Sequence, residues 1–228
     1  MRVRRTFAFL DLSGFTAMTH IEGDERSVAV LGVFRGALRQ ICSRRGVRIA
    51  KWLGDGAMLV GVDPTPVLSA VLEMQCKFGL GPDAIAVKSA VTTGPVILLE
   101  GDDYIGHAVN VAARLCDLAQ AGEMLADPAL VDALPPWALE RDRVEVAVRG
   151  VDRPVAVAHL GLRDPGAEAR LDPVCGIPLV PSTAVAERSG GGAGTWLFCS
   201  ESCLDTWESR PAEAVAPGSE DWVRDGIS

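Results

Sequence analysis

The sequence lacks the excess of positive charge that general nucleic-acid binding requires. Its 22 Lys and Arg residues are outnumbered by 30 Asp and Glu residues, which gives a net charge of −8, whereas nucleic-acid binders favour basic faces. It also lacks an apolar run near the ~20 residues that span a bilayer. The basic N-terminus is followed by an apolar run that reaches Asp11 too early for a signal peptide. These absences predict a cytoplasmic protein with neither a nucleic-acid partner nor a membrane partner.

The length and the cysteine content predict one full domain followed by a small module. The chain has 228 residues, of which 48% are hydrophobic, so it can bury a sizeable core. In a reducing cytoplasm its six cysteines are expected to be thiols or metal ligands and not disulfides. Three of them are scattered through the first part of the chain, and the other three, Cys175, Cys199 and Cys203, lie in the last quarter.

Strand and helix patterns alternate over residues 1–162, with several hairpins among them. This order predicts an α+β domain whose mixed or largely antiparallel sheet is faced by helices. The predicted strands are Val3–Leu12, Val47–Leu53, Ala57–Val62, Ala84–Thr93, Val96–Glu100, Glu123–Ala126, Val144–Val148 and Val155–Leu160. The predicted helices are Asp24–Arg44, Thr65–Phe78, a helix from about Gly106, and a short helix at Pro128–Leu134.

The helix from Gly106 has one polar and one apolar face. At helical spacing, His107, Asn110, Arg114 and Asp117 form the polar stripe. The opposite stripe, predicted to pack on the sheet, consists of Val109, Ala112, Ala113 and Cys116. An amide and a guanidinium one turn apart on the polar stripe can stabilise phosphate charge as it develops. A solvated helix face is the alternative interpretation of this stripe.

Three further polar residues stand at the ends of predicted strands. Asp11 follows an apolar strand and precedes the turn to Phe15 and Thr16, where free N–H groups at a helix start favour phosphate. Asp55 lies in the Gly-Asp-Gly turn of a hairpin, four residues after Lys51. If the two strands are adjacent, both carboxylates would meet and need a cation, for which Mg²⁺ or Mn²⁺ is suited. The alternatives are a helix cap for Asp11, turn chemistry for Asp55 and a snorkelling surface lysine for Lys51.

Taken together, the segments FLDLSGFT, KWLGDGAM and GDDYIGHAVNVAAR resemble the class III adenylate/guanylate cyclase catalytic domain. The resemblance covers roughly residues 5–162 and implies a ferredoxin-like sheet with helices on one face. It implies conversion of ATP to 3′,5′-cyclic AMP and pyrophosphate in a head-to-tail homodimer with its active sites at the interface. Guanylate cyclase activity and a non-catalytic nucleotide-binding regulatory domain are the alternatives.

The resemblance also implies a role for each matching residue. Asp11 and Asp55 would bind two Mg²⁺ or Mn²⁺ ions per active site. Asn110 and Arg114 would stabilise the transition state. The expected substrate-binding residues are Lys51 and Asp103, which would read the base, together with Arg149 on the triphosphate, Phe15 and Thr16. Lys51 and Asp103 together would favour ATP, because guanine would place a second donor against Lys51 or a second acceptor against Asp103.

The C-terminal part changes composition after a polar linker at 163–170. Residues 171–217 contain DPVCG and TWLFCSESC and resemble a YHS domain, a small TRASH-like module associated with metals. Cys175, Cys199 and Cys203 would offer three soft ligands for Zn²⁺ or another soft metal, although no histidine follows His159 as a fourth ligand. The alternative is a small fold packed by aromatic residues around reduced thiols. A loose tail is predicted at 218–228.

Overall fold

Two compact units, Met1–Asp164 and Pro165–Ser228, make up the chain. The computed structural model describes residues 1–78, 85–99, 103–190 and 194–210. Ala84 and Glu100, at the ends of two predicted strands, and the predicted tail 218–228 lie outside these described residues. In the described part of the chain, no helix is both long and apolar enough to cross a bilayer.

The first unit is built on one mixed sheet with the strand order β2-β3-β1-β4-β6-β8-β7, in which β5 also pairs with β4. The strands are β1 (Arg2–Leu12), β2 (Arg48–Leu53), β3 (Gly56–Gly61), β4 (Val87–Leu98), β5 (Tyr104–Ile105), β6 (Met124–Ala126), β7 (Ala138–Val146) and β8 (Val155–Leu162). The helices are α1 (Phe15–Glu22), α2 (Asp24–Arg45), α3 (Pro64–Phe78) and α4 (His107–Leu118), and a 3₁₀ turn spans Pro128–Ala133. The predicted α+β class and the largely antiparallel sheet are confirmed.

Helices cover both faces of this sheet. On one face, Gln75 of α3 donates to the Ser89 hydroxyl of β4 at 3.2 Å, and α2 packs on α3. On the other face, Thr92 of β4 donates to the Ala108 carbonyl of α4 at 2.7 Å. The expectation of helices on one face therefore holds for the ferredoxin-like part with α2 and α3, and it is wrong for α4.

The buried stripe of α4 is centred one residue away from its predicted position. Ala108, Val111, Ala112, Leu115 and Cys116 are buried. Ala112 and Cys116 were predicted to pack on the sheet, whereas the other two members of the predicted stripe are only half-buried. The bulky Val111 and Leu115 lie at the centre of the packed face because they bury the most apolar area. The polar stripe is left outside, as predicted.

Three strands of the first unit differ from the prediction, and one of them, β5, was not predicted at all. β4 runs without a break from Val87 to Leu98 through Gly94-Pro95, where the sequence predicted a turn. Among the described strands, β6 pairs with residues 89–91 of β4 and β5 with residues 97–98, so Pro95 falls between them, at a position where a sheet tolerates a missing N–H. β7 begins at Ala138, well before the predicted Val144, because its charged residues belong to an exposed edge strand without apolar alternation.

The described residues of the second unit form two small hairpins, a 3₁₀ turn at Pro181–Thr183 and a helix. β9 (Arg170–Leu171) pairs with β10 (Pro178–Leu179), β11 (Ala186–Gly190) pairs with β12 (Gly194–Phe198), and α5 spans Glu201–Glu208. Phe198 contacts Trp207 edge to face at 5.6 Å between ring centroids, and Trp196 lies 6.4 Å from the same ring. This aromatic cluster joins β12 to α5.

Candidate functional site

Asp11 lies near the end of β1, at the centre of the sheet. It is paired with Gly56 of β3 on one side and with Lys88 of β4 on the other. A Cβ atom at position 56 would stand 2.5 Å from the Leu10 carbonyl oxygen and 3.1 Å from Asp11 Oδ1. Glycine at position 56 therefore allows the hairpin to approach the Asp11 carboxylate closely.

Asp55 occupies the two-residue turn that joins β2 to β3, as the Gly-Asp-Gly pattern predicts. Burial raises the pKa of Asp55, and the charge of Asp11 raises it further. Asp11 and Asp55 both line one cleft, so their like charges lie close enough to repel. The structure thus brings together the two predicted metal ligands, and the oxygen donors fit Mg²⁺ or Mn²⁺.

Lys88 is a member of this group that the sequence analysis missed. Its Nζ lies 3.2 Å from Asp11 Oδ2. Partial burial lowers the pKa of Lys88, but the hydrogen bond and charge of Asp11 outweigh this effect, so the pKa is raised. The available signal was a single lysine inside the otherwise uncharged strand β4, on the face that strand pairing directs toward Asp11.

The carboxylates open onto a cleft of about 430 Å³ that Lys88 also lines. The start of α1 forms one wall, and Phe15 and Thr16 line the cleft as predicted. The first N–H groups of a helix lack internal partners and favour anions. Residues 119–121, which follow α4, form part of the opposite wall. The cleft therefore combines two acidic groups, one ammonium and a helix start, a set suited to a phosphate chain accompanied by cations.

Lys51 and Asp103, which were predicted to read the base, form an ion pair with each other. Lys51 Nζ donates to Asp103 Oδ1 at 2.8 Å, and both side chains are about half exposed. The hydrogen bond from Lys51 lowers the pKa of Asp103, and so does the backbone N–H of Tyr104. Arg48 donates to the Tyr104 hydroxyl at 3.1 Å and lies over its ring. A fixed donor and a fixed acceptor thus stand side by side at the surface.

Asn110 and Arg114 lie one turn apart on the outer face of α4. Arg114 Nη1 donates to the Arg149 backbone carbonyl. A Cβ atom at position 150 would stand 2.7 Å from the same nitrogen, and Gly150 has a left-handed φ of +73°. Arg149 is exposed at this turn, so the structure brings it beside Arg114, on the strand-to-strand connection between β7 and β8.

The predicted residues fall into two groups on one chain. Asp11, Asp55, Phe15 and Thr16 line the cleft. Among the described residues, the cleft lining does not include the second group, which consists of Lys51, Asp103, Asn110, Arg114 and Arg149. Within one chain, the described residues of the two groups therefore do not line one common cleft.

The three C-terminal cysteines meet in the second unit. Cys199 Sγ lies 3.4 Å from Cys175 Sγ and 3.6 Å from Cys203 Sγ, and all three are buried and unbridged. Burial raises the pKa of Cys175, and the neighbouring thiols raise it further. In the first unit, burial raises the pKa of Cys116 to about 12, so this thiol does not supply a reactive thiolate at neutral pH.

No protein-family model matches the chain. The uncharacterized protein Rv2212 of Mycobacterium tuberculosis is 33% identical over 153 residues, which are 67% of this chain and 40% of the relative. A pH-sensitive adenylate cyclase of the same organism is 31% identical over 129 residues, 57% of this chain and 32% of the relative. The chain thus spans less than half the length of these curated relatives.

Solved structures of cyclases resemble the chain closely in fold. The guanylyl cyclase Cya2 superimposes with a TM-score of 0.63 at 22% identity, covering 73% of this chain and 96% of that one. The adenylyl cyclase CyaB from P. aeruginosa gives a TM-score of 0.63 at 24% identity, covering 72% and 96%. The chain therefore contains the mixed α+β fold of the class III cyclase catalytic domains.

Proposed function

We propose that the chain is an adenylate cyclase that converts ATP to 3′,5′-cyclic AMP and pyrophosphate. The observation that carries this proposal is the pairing of Asp11 and Asp55 beside Lys88 and the start of α1. This group, in a fold shared with cyclases, suits a triphosphate held with two divalent cations. The named adenylate cyclase relatives support the same reaction class.

The cleft residues would hold the triphosphate end of ATP. Asp11 and Asp55 would bind two Mg²⁺ or Mn²⁺ ions, which when bound lower the pKa of the ribose 3′-hydroxyl and neutralise the phosphates. Lys88 would shift its ammonium from Asp11 toward a phosphate oxygen once a cation takes its place. The N–H groups at Phe15 and Thr16 would donate to the phosphate chain.

The chemistry is an in-line displacement at the α-phosphorus. The ribose 3′-oxygen loses its proton and forms the new bond, while the bond from the α-phosphorus to the bridging oxygen breaks and pyrophosphate leaves. Negative charge grows on the α-phosphoryl oxygens and on the leaving group, where Arg114 would donate fixed hydrogen bonds. Asn110 would orient the ribose, and Arg149, beside Arg114, would contact the triphosphate.

Adenine fits the Lys51–Asp103 pair. Adenine N1 accepts a hydrogen bond and its N6 amino group donates one, so Lys51 would serve the first and Asp103 the second. The corresponding guanine groups are an O6 acceptor and an N1–H donor. The N1–H donor would then face the ammonium of Lys51, which is also a donor. A guanylate cyclase is the second candidate, because guanylyl cyclases share the fold.

A head-to-tail homodimer would assemble the complete site. One chain would contribute Asp11 and Asp55, and its partner would contribute Lys51, Asp103, Asn110 and Arg114. The apolar side chains Ile97 and Ile105, at the β4–β5 pairing beside Asp103, are 41% and 55% exposed, and such a surface suits burial against a second copy.

The deciding experiment is a turnover assay of purified protein with ATP or GTP and Mg²⁺ or Mn²⁺. Formation of cyclic AMP and pyrophosphate, with kcat/KM higher for ATP than for GTP, is expected. Preferential formation of cyclic GMP would establish the guanylate alternative. Nucleotide binding without turnover under all four conditions would support a non-catalytic regulatory domain instead.

A further inference from the structure

We propose that Asp172, Cys175, Cys199 and Cys203 form a structural zinc site in which three thiolates and one carboxylate bind one ion. The site lies within the second unit and does not depend on the proposed cyclase activity. Three cysteines alone leave a tetrahedral ion one ligand short. The structure places the carboxylate of Asp172 at that fourth position.

The ligand atoms already have the spacing that a zinc ion requires. The four atoms all lie within 4.8 Å of one another, and all four residues are buried. For a zinc–sulfur distance of about 2.3 Å, a tetrahedron separates neighbouring sulfurs by about 3.8 Å. The observed separations from Cys199 Sγ are 3.4 Å and 3.6 Å, close to this value and much longer than the ~2.05 Å of a disulfide.

Two tight turns present the ligands in pairs. Gly176 donates to the Asp172 carbonyl at 2.8 Å, and Asp172 donates to the Ile177 carbonyl at 2.9 Å, which closes the turn between β9 and β10. Cys199 directly follows β12, and Ser200 caps α5 by accepting from the N–H of Cys203 at 3.2 Å. The two pairs, Asp-x₂-Cys and Cys-x₃-Cys, have the short spacing typical of structural zinc sites.

The Asp172 carboxylate is held in place by backbone donors. Its Oδ1 accepts from Val174 N at 2.8 Å and from Cys175 N at 3.2 Å, while Oδ2 accepts from Cys199 N at 2.7 Å. An ionised carboxylate offers about four acceptor sites, so Oδ2 keeps a lone pair for an ion. These bonds fix the orientation of the ligand as hydrogen bonds do in other metal sites. Asp172 is only 2% exposed. A buried carboxylate is stabilised when a cation binds to it.

The donor set selects zinc over other ions. Three thiolates exclude Mg²⁺ and Ca²⁺, which take oxygen ligands. The carboxylate disfavours Cu⁺, which prefers soft ligands throughout, and iron–sulfur clusters use four protein ligands that are normally cysteines. Zn²⁺ accepts sulfur and oxygen together. A small module with short hairpins gains most from such a site, because its own core is limited.

The test is elemental analysis and X-ray absorption of the full-length protein purified without chelators. One zinc per chain is expected, with three sulfurs at about 2.3 Å and one oxygen at about 2.0–2.2 Å. Absence of metal, with all six thiols reactive after unfolding, would overturn the proposal. Iron or copper in place of zinc, or four sulfurs in the native protein, would overturn it as well.

Variants at position 172 test whether Asp172 binds the metal or only lies beside it. Asp172→Cys should convert the coordination to four sulfurs, and Asp172→Asn should weaken zinc binding more than tenfold in competition with a chelator. Coordination by three sulfurs and one oxygen in both variants would assign the fourth position to water and overturn the role of Asp172. Asp205→Asn on the exposed side of α5 and Cys76→Ser in the first unit are the matched controls, and both should keep one zinc per chain.

Discussion

At the scale of single residues, the ionised side chain of Asp55 lowers the stability of the folded chain. Burial and the charge of Asp11 raise the pKa of Asp55, so between its unfolded and folded pKa the native state binds more protons than the unfolded chain. This group therefore lowers stability as the pH rises through that interval, and the full loss is present above the folded pKa. Below the unfolded pKa the group has no effect.

We therefore expect Asp55→Asn to raise the melting temperature in the presence of a chelator at neutral pH. The gain should vanish as the pH falls below the usual aspartate range, while cyclase activity drops by about a hundredfold or more because a metal ligand is lost. Thermal unfolding across pH and cyclic AMP formation are the measurements. The exposed Asp132→Asn should change neither quantity. A lower melting temperature for Asp55→Asn at neutral pH would contradict the electrostatic argument.

Gly150 controls the position of Arg114. Gly150→Ala would add a Cβ atom 2.7 Å from Arg114 Nη1 at a left-handed φ. We expect turnover to fall tenfold or more through displacement of the guanidinium, with a backbone cost of about 1 kcal/mol. Gly122→Ala is the matched control, because Gly122 has a φ of +77° with no atom within 4 Å of an added Cβ. Equal turnover in the two variants would show that Arg114 does not act from this position.

Lys51 and Asp103 should determine which base is used. Replacing both, as Lys51→Glu with Asp103→Cys, removes the donor for adenine N1 and the acceptor for its amino group. The ratio of kcat/KM for ATP to that for GTP should fall by tenfold or more, since a matched polar contact contributes about 1.5–3 kcal/mol when charged. Arg48→Gln, which changes a residue beside Tyr104, is the control. An unchanged ratio in the double variant would place base recognition elsewhere.

Sequence patterns can identify polar residues at the ends of strands and helices. They cannot identify the residues that strand pairing places beside them. The positions of Asp11 near the end of β1 and of Asp55 in the β2–β3 turn were predictable from the strand and turn patterns. Lys88 was missed because only the register between β1 and β4 sets it against Asp11. The proposed ligand Asp172 could not be identified from the sequence, because its carboxylate reaches the cysteines only through the fold of the β9–β10 turn.

At the scale of elements, helical periodicity and turn chemistry predicted α2, α3, α4 and the β2–β3 hairpin. The sequence could not predict the course of β4, because the tolerance of Pro95 depends on which strands pair beside it. Nor could it predict which face of the sheet α4 covers, since an amphipathic helix shows only that one of its faces is buried. Both properties are set by tertiary contacts between distant segments.

The packing of α2 on α3 depends on one buried carboxylate. Glu73 is fully buried, donors from Arg44 and Arg45 bind its two oxygens, and the Arg45 bond measures 2.8 Å. Glu73→Gln should lower the free energy of unfolding by about 3–5 kcal/mol, because it breaks a buried ion pair by removing the charge of one partner. Urea unfolding measures this, and Glu22→Gln in the exposed pair with Arg26 should have little effect. If the free energy of unfolding falls as little in Glu73→Gln as in Glu22→Gln, water replaces the interaction that the carboxylate makes.

At the scale of the whole molecule, the proposed division of each active site between two chains can be tested with pairs of variants. If each active site takes Asp11 and Asp55 from one copy and Arg114 from the other, then Asp55→Ala and Arg114→Ala damage different halves of the site. A heterodimer of the two variants contains one site with both lesions and one site with neither.

Mixing the two inactive variants should therefore restore activity. At equal concentrations and with random exchange, half of the dimers are heterodimers with one intact site of two, so about a quarter of the wild-type activity is expected. Asp55→Ala mixed with Asp11→Ala is the control, because both lesions lie in the same half and every heterodimer site stays damaged. Subunit exchange is verified by fluorescence transfer between labelled chains. Restoration in the control, or none in the test mixture despite exchange, would show that each chain completes its own site.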